Sequence, residues 1–432
     1  MQTSESGIQP AGRDVDVAIV GAGPAGARAA ELLARAGASV AVIDPRAPWE
    51  KPCGGGLTAS AFTAFPELRE LSEGMRAVRR VRVETTPSVG FSFLLETPVY
   101  MVSRAVLGRW QLDRALRAGA TLLAERVRSV HRDRMSHWHV DTDVDDVVAR
   151  FIVGADGAAS LVRRIVAPKL QVELAPTRVA FVPGAGPTPN QMTLQFFPET
   201  VGYVWDFPRP DHRSVGVGTQ RGEWARPRMD SAVDALRRSS EACDCRDEEL
   251  ERAGAVIGTA QFGHGDFHFL GGEDFALLGD AAGLADPTSG EGIRNAFRSA
   301  QLLAEAWGRD GTFSRYPALA RRAFDREFHV SRAARRVLLD RGAAVRMIGA
   351  AARRSDGVMA LLGACLDALN EHDLSLLGLA RRWRRVRRRI RADREDMVRG
   401  RRTPEPCHAS DQTSDGRLLA GEEDSVPHGC EP

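Results

Sequence analysis

Gly21, Gly23 and Gly26 stand in the segment Asp16-Val-Ala-Ile-Val-Gly21-Ala-Gly23-Pro-Ala-Gly26, a spacing that lets main chain come close to a phosphate. The first glycine permits a tight turn, the second lets backbone approach a pyrophosphate, and the third lets a helix pack closely on a strand. Asp44 follows eighteen positions after Gly26, where a carboxylate receives a ribose 2′-hydroxyl. Together these four residues read as a dinucleotide site. Two further acids, Asp156 in Phe151-Ile-Val-Gly-Ala-Asp156-Gly157 and Asp280 in Phe275-Ala-Leu-Leu-Gly279-Asp280, each follow an apolar run. Ligands of open α/β sheets bind at such strand ends. An acid there also serves as a turn former or helix cap, so neither decides anything by itself.

The elements that must position these residues lie around them. Residues 16–20 read as a buried strand, Val40-Ala-Val-Ile43 as its neighbour, and the Ala-rich stretch after Gly23 as a helix whose first N–H groups face the phosphates. At 432 residues the chain can hold two intimately connected domains. Its net charge of +2 points to neither nucleic acid nor an acidic substrate. No run of about 20 apolar residues occurs, and the polar start lacks the regions of a signal peptide, so a cytoplasmic protein that does not span a membrane is expected. The six cysteines form no Cys-x-x-Cys pair, and Cys243-Asp-Cys245 is too tight and isolated for zinc. Reduced thiols and no metal site follow.

In this order and spacing, the segments resemble the FAD-dependent oxidoreductases related to the aromatic hydroxylases, and within them the geranylgeranyl reductase group, over roughly residues 14–310. The resemblance implies that Asp280 contacts the ribitol of FAD and that Arg104, in Ser103-Arg104-Ala-Val-Leu-Gly108-Arg-Trp110, lies close to the cofactor. Gly108 stands where that family usually has an acid, so contacts ascribed to the acid do not transfer.

Three features resemble the reductase branch in particular. Lys51-Pro52-Cys53-Gly54-Gly55-Gly56-Leu57 is similar to its Cys-Gly-Gly loop, which passes over the flavin ring; glycines leave such backbone free of side chains. Cys53 is the one reactive side chain of that run, in a catalytic or gating role or as a small buried hydrophobe. Gly202-Tyr203-Val-Trp205-Asp-Phe207-Pro208, with Gly216-Val-Gly218 downstream, matches the group's Tyr-x-Trp-x-Phe-Pro signature. Period-2 spacing puts Tyr203, Trp205 and Phe207 on one strand face, a wall suited to a long hydrocarbon. Finally, Gly279-Asp280-Ala-Ala-Gly283 continues through Pro287 to Gly290-Glu291-Gly292, resembling the motif that closes the flavin site. Hydroxylases of the wider family commonly have His at the position of Gly283. Gly290 and Gly292 would turn helix N–H groups toward the flavin's N1/C2 carbonyl edge, and Pro287 would border the ring.

The expected architecture is α/β: a discontinuous Rossmann-like FAD-binding domain over residues 12–79, 100–168 and 263–310, and an antiparallel substrate domain over 80–99 and 169–262. Helices are expected over 311–402 and a disordered tail over 403–432. Residues 381–402 carry twelve arginines against three acids, interrupted by Trp383, Val386 and Ile390. Such a run is a solvated helix or a peripheral contact with an anionic membrane surface. One dinucleotide fingerprint leaves no separate NAD(P)H domain, so the electron donor, NAD(P)H or a reduced carrier, must approach transiently.

The expected activity is reduction of isolated C=C bonds in a prenyl chain, with Cys53, Tyr203 or an ordered water giving the proton. Tyr203, Trp205, Phe207 and Pro208 are expected to touch substrate. A flavin monooxygenase or halogenase uses the same scaffold, although the halogenases' Trp-x-Trp-x-Ile-Pro signature is missing and the only lysines are Lys51 and Lys169. A flavin-binding accessory protein without turnover is the remaining reading.

Overall fold

Short all-apolar runs build the first sheet. Strand Asp14–Val20 is buried from Val17 through Val20 and pairs in parallel with Val40–Ile43 on one side and Val147–Gly154 on the other. Strands buried on both faces read as continuous Val, Ile and Ala. Thr121–Leu123 extends the parallel sheet beyond Val40–Ile43, Phe275–Leu277 pairs in parallel with Val147–Gly154, and the hairpin Val127–Arg132 with Trp138–Thr142 is added antiparallel. Helices Pro24–Arg35 and Ile293–Asp310 pack against each other. The computed structural model describes residues 13–398, apart from 185, 187, 220–223, 225, 240–250, 261, 263–265, 354 and 374; the side chains of 239, 376 and 393–398 are likewise not described. The tail expected over 403–432 lies outside the described residues.

The second sheet has eight strands, in the order Glu251–Ala260, Val172–Pro183, His212–Thr219, Gly202–Pro208, Gln191–Phe196, Met75–Thr86, Val89–Val102 and Gly56–Leu57. Two details differ from the sequence reading. The sheet takes in Met75 to Val102 rather than 80 to 99, because the two long strands carry their pairing to Met75↔Val102. One pairing is parallel, Gln191–Phe196 alongside Met75–Thr86, since these strands come from separate excursions of the chain.

Alternation gives this sheet two apolar faces. Val204, Val215 and Val217 bury against Met229, Val233 and Leu236 of helix Arg226–Ser239. Val81, Val83, Leu194 and Trp205 face the other way, toward Ile348 and Leu362 of helices Ala343–Ala352 and Asp356–Glu371. Each fully buried aliphatic side chain contributes about 1.5–3 kcal/mol. The C-terminal helices thus close the sheet face opposite helix Arg226–Ser239. No helix among the described residues is long and apolar enough to cross a membrane.

Candidate flavin and substrate site

Where a helix begins with a side-chain cap, its first N–H groups are occupied. Ser103 and Ser160 cap their helices in this way. The helices starting after Gly23 and Gly292 have no side-chain cap, and both glycines line one large cavity of about 750 Å³. Uncapped N–H groups and the helix dipole make each start a place for anionic or electron-rich oxygen. At Gly23 a Cβ would meet nothing within 4 Å, whereas at Gly26 it would lie 1.9 Å from the Gly21 carbonyl oxygen. Gly23 therefore keeps space open for a ligand, and Gly26 serves helix–strand packing behind it.

The cavity continues past the other predicted cofactor residues. Gly21, Asp44, Cys53, Gly54, Gly55, Arg104, Asp156, Gly279, Asp280, Gly290 and Gly292 all line it. Asp44 accepts from Ala22 N–H and Arg46 N–H, each at 3.0 Å, which fixes it at the end of its strand. A Cβ on Gly292 would come within 2.9 Å of Asp280 Oδ1, so glycine there lets the carboxylate reach the helix start. Asp156 is largely a cap: it accepts from Ser160 Oγ, Leu161 N–H and Val162 N–H, while burial pushes its pKa up. Two buried polar atoms beside the cavity, Arg104 Nε and Gln111 Oε1, lack a hydrogen-bond partner among the described residues. Buried polar groups are ordinarily paired, so this donor and acceptor fit the polar atoms of a dinucleotide.

Two predicted residues are placed elsewhere. Pro208 is buried outside the lining, because strand alternation turns it from the face of Tyr203, Trp205 and Phe207. Pro287 is buried behind the loop, and Thr288 to Gly292 line the cavity instead.

The Cys-Gly-Gly loop is locked by residues far away in sequence. Arg209, with 0% exposure, donates to the Cys53 carbonyl and to the Gly54 carbonyl at 3.4 Å, and pairs with Glu50. Ser214 Oγ donates to the same Cys53 carbonyl at 2.9 Å. Glu50 also accepts from Ser103 Oγ and from the N–H groups of Arg104 and Ala105, at 3.1 Å each. Burial opposes ionisation of Glu50, yet Arg209 and these donors hold its carboxyl below the usual range. Gly54 is demanded by the protein itself: a Cβ there would sit 2.7 Å from the Phe207 ring. Gly55, at φ +75°, would clash with the Val102 carbonyl. Burial also raises Cys53, but Arg104, the Gly55 N–H and Arg209 outweigh it and set the thiol below its ordinary pKa.

Beyond this loop the lining turns apolar. Tyr203, Trp205 and Phe207 succeed one another along one face, with ring centroids 6.1 and 6.4 Å apart. Tyr203 donates its hydroxyl to the Ser289 carbonyl at 2.6 Å; burial, then the charges of Cys53, Asp286 and Glu291, raise its pKa. Ile348, Leu362, Leu366 and Leu369 of the C-terminal helices complete the chamber. Sequence reasoning missed these four, and missed Glu50 and Arg209, because none sits in a motif. The apolar residues of 343–371, recurring at helical spacing as in Leu362, Leu366 and Leu369, were the one available signal.

Comparison with known proteins agrees with this geometry. A model described as "FAD binding domain" matches residues 14–308. A geranylgeranyl diphosphate reductase of Rhodobacter capsulatus is 32% identical over 67% of this chain and 74% of its own. The chain belongs to the geranylgeranyl reductase family of FAD-dependent oxidoreductases. A second member, digeranylgeranylglycerophospholipid reductase 1 of Methanopyrus kandleri, is 29% identical over 68% of this chain and 80% of its own. Among solved structures, a geranylgeranyl bacteriochlorophyll reductase-like protein of Thermoplasma acidophilum shares the fold, with TM-score 0.61 and 20% identity over 89% of this chain and 99% of that one. FAD is the cofactor of this reductase, and the uncapped helix starts at Gly23 and Gly292 with the unpaired Arg104 Nε and Gln111 Oε1 fit such a dinucleotide.

Proposed function

We propose that this enzyme reduces isolated carbon–carbon double bonds of a prenyl chain. The observation that carries the proposal is continuity: one cavity runs from the uncapped helix start at Gly23, past Cys53, into a chamber walled by Tyr203, Trp205, Phe207, Leu362 and Leu366. A prenyl chain in that chamber gains about 0.8 kcal/mol per buried CH₂. FAD bound along the glycines supplies a hydride equivalent once reduced. The apolar walls exclude water and hold the alkene against the loop. Tyr203 donates its hydroxyl to the Ser289 carbonyl and so positions the Thr288–Gly292 loop, while Cys53 stands in the cavity wall against the substrate. The electron donor, NAD(P)H or a reduced carrier, approaches from outside, as no second fingerprint is present. Under anaerobic conditions, reduced enzyme should be reoxidised by geranylgeranyl diphosphate and unaffected by its fully saturated analogue; reoxidation by both or neither opposes the proposal.

We further propose a peripheral contact with anionic membrane through the basic helix Leu376–Val398. Its apolar stripe is not free for lipid: Val386 is buried against Gly363, and Trp383 donates to the Gly357 carbonyl at 3.2 Å. Arg381, Arg384 and Arg388 remain exposed, which leaves an electrostatic contact worth about 1 kcal/mol per arginine. Residues 399–402 of the basic run lie outside the described residues. Replacing these three arginines with alanine should abolish salt-sensitive sedimentation with anionic vesicles; unchanged sedimentation would count against the contact.

A further inference from the structure

Alkene reduction needs a proton as well as a hydride, and the cavity wall contains an acid to which none of the sequence motifs assigned a role. Glu291 lines the cavity between Gly290 and Gly292. Thr58 Oγ1 donates to its Oε1 at 2.7 Å, and Ser60 Oγ lies 2.9 Å from Thr58 Oγ1. Thr58 also lines the cavity, while Ser60 is only partly buried. These three oxygens form a chain leading away from the chamber.

The surroundings keep cations off this carboxyl. The Arg294 guanidinium, in the first turn of the helix starting at Ile293, and the imidazole of His372, just past helix Asp356–Glu371, are both engaged by Glu327, at 3.2 and 2.5 Å. No cation forms an ion pair with Glu291 among the described residues. Asp286 adds a nearby negative charge, its Oδ1 accepting from Thr288 N–H, Ser289 N–H and Ser289 Oγ. Burial is the largest influence on Glu291 and raises its pKa; Asp286 adds to this, and Thr58, Arg294 and His372 oppose it without reversing it. A carboxyl so placed keeps its proton to higher pH than an exposed Glu. Of the other titratable groups near it in the lining, Tyr203 already donates to the Ser289 carbonyl, the Cys53 thiol is set below its ordinary pKa by Arg104, the Gly55 N–H and Arg209, and burial raises the Cys365 thiol.

We propose that Glu291 is the proton donor to the alkene and that Thr58 and Ser60 return a proton to it from solvent. This rests on the prenyl-reduction reading. In the step, the C=C π bond breaks and two C–H bonds form, one from the hydride of the reduced flavin, a two-electron donor, and one from the Glu291 carboxyl. The resulting carboxylate takes the Thr58 hydroxyl proton as Thr58 takes one from Ser60 and Ser60 one from water, which leaves hydroxide to bulk solvent, so charge and atoms balance.

The test uses the FAD-loaded enzyme and two readouts. Infrared difference spectra at neutral pH should show the carbonyl stretch of a protonated carboxylic acid that Glu291→Gln removes; this arm needs no substrate. Prereduced Glu291→Gln should oxidise on addition of geranylgeranyl diphosphate at least ~100-fold more slowly than wild type, with its reduction by dithionite unchanged. Thr58→Val should slow the turnovers after the first more than the first itself. Absence of the band in wild type, or wild-type oxidation kinetics in Glu291→Gln, overturns the proposal. Wild type that never reoxidises with the prenyl substrate, yet shows the band, contradicts the prenyl reading alone.

Discussion

The Arg209 guanidinium donates to the Cys53 carbonyl across 156 positions of sequence, and its other nitrogens reach Glu50 and the Gly54 carbonyl. One fully buried cation thereby ties the Cys-Gly-Gly loop to the eight-stranded sheet and, through Glu50, to the start of the Arg104 helix. Removing one member of a buried pair leaves the other uncompensated, which costs about 3–5 kcal/mol. Arg209→Met should therefore lower thermal stability by that order. Arg209→Lys should not rescue it, since a point charge cannot reproduce three directed bonds. Full stability in either variant, measured by denaturant unfolding, would show that the clamp is ornamental.

Gly23 and Gly21 should respond oppositely to a side chain. A Cβ at Gly23 meets only open space, whereas at Gly21, with φ +98°, it would lie 2.4 Å from the Ala155 carbonyl oxygen. Gly23→Val should keep its melting temperature in the apo form yet bind little FAD, seen as nearly colourless protein. Gly21→Ala should lose about 1–3 kcal/mol of stability. A yellow Gly23→Val protein with wild-type affinity would displace the phosphates from this turn.

Asp367 makes stability depend on pH. It is fully buried, accepts from the Glu96 N–H at 3.0 Å, and leaves Oδ2 without a partner among the described residues. Burial first, then Glu96 and Glu371, push its pKa up to about 6 against the pull of Arg382. A carboxyl raised in the fold stabilises below its unfolded pKa, and that contribution is lost as pH rises through about 6. Asp367→Asn should thus be more stable than wild type at neutral pH and lose the advantage in acid. Denaturant midpoints across this range measure it; parallel curves for both proteins would refute the assignment.

The chamber should set the length of chain accepted. Leu362, on the C-terminal helix facing Trp205, lines it with little exposure. Leu362→Trp should leave FAD binding intact while weakening long prenyl substrates more than short ones, each displaced CH₂ removing about 0.8 kcal/mol. Equal loss for all lengths would place the hydrocarbon elsewhere.

The first sheet was legible because its strands carry their burial in composition: Val40–Ile43 and Phe275–Leu277 fall where the apolar runs stand. The aromatic stripe was legible by period, and Pro208 was misplaced by ignoring that period one residue further. The Glu50–Arg209 pair was not, since an isolated acid and an isolated arginine 159 positions apart carry no local signal. Trp383 and Val386 gave a stripe whose direction only the packing of helix Leu376–Val398 against Gly357 and Gly363 decides. The glycines of the Cys53 loop were recognised, but for a neighbour other than the one that needs them: Phe207 and Val102 exclude side chains there.

Mass analysis of the product tests the central claim most directly. Enzyme reduced anaerobically and supplied with geranylgeranyl diphosphate should yield products heavier by two hydrogens per turnover, and in heavy water both carbons of each saturated bond should take up deuterium. A product heavier by one oxygen, formed only in air, would contradict the account and make the same cavity that of an oxygen-inserting enzyme.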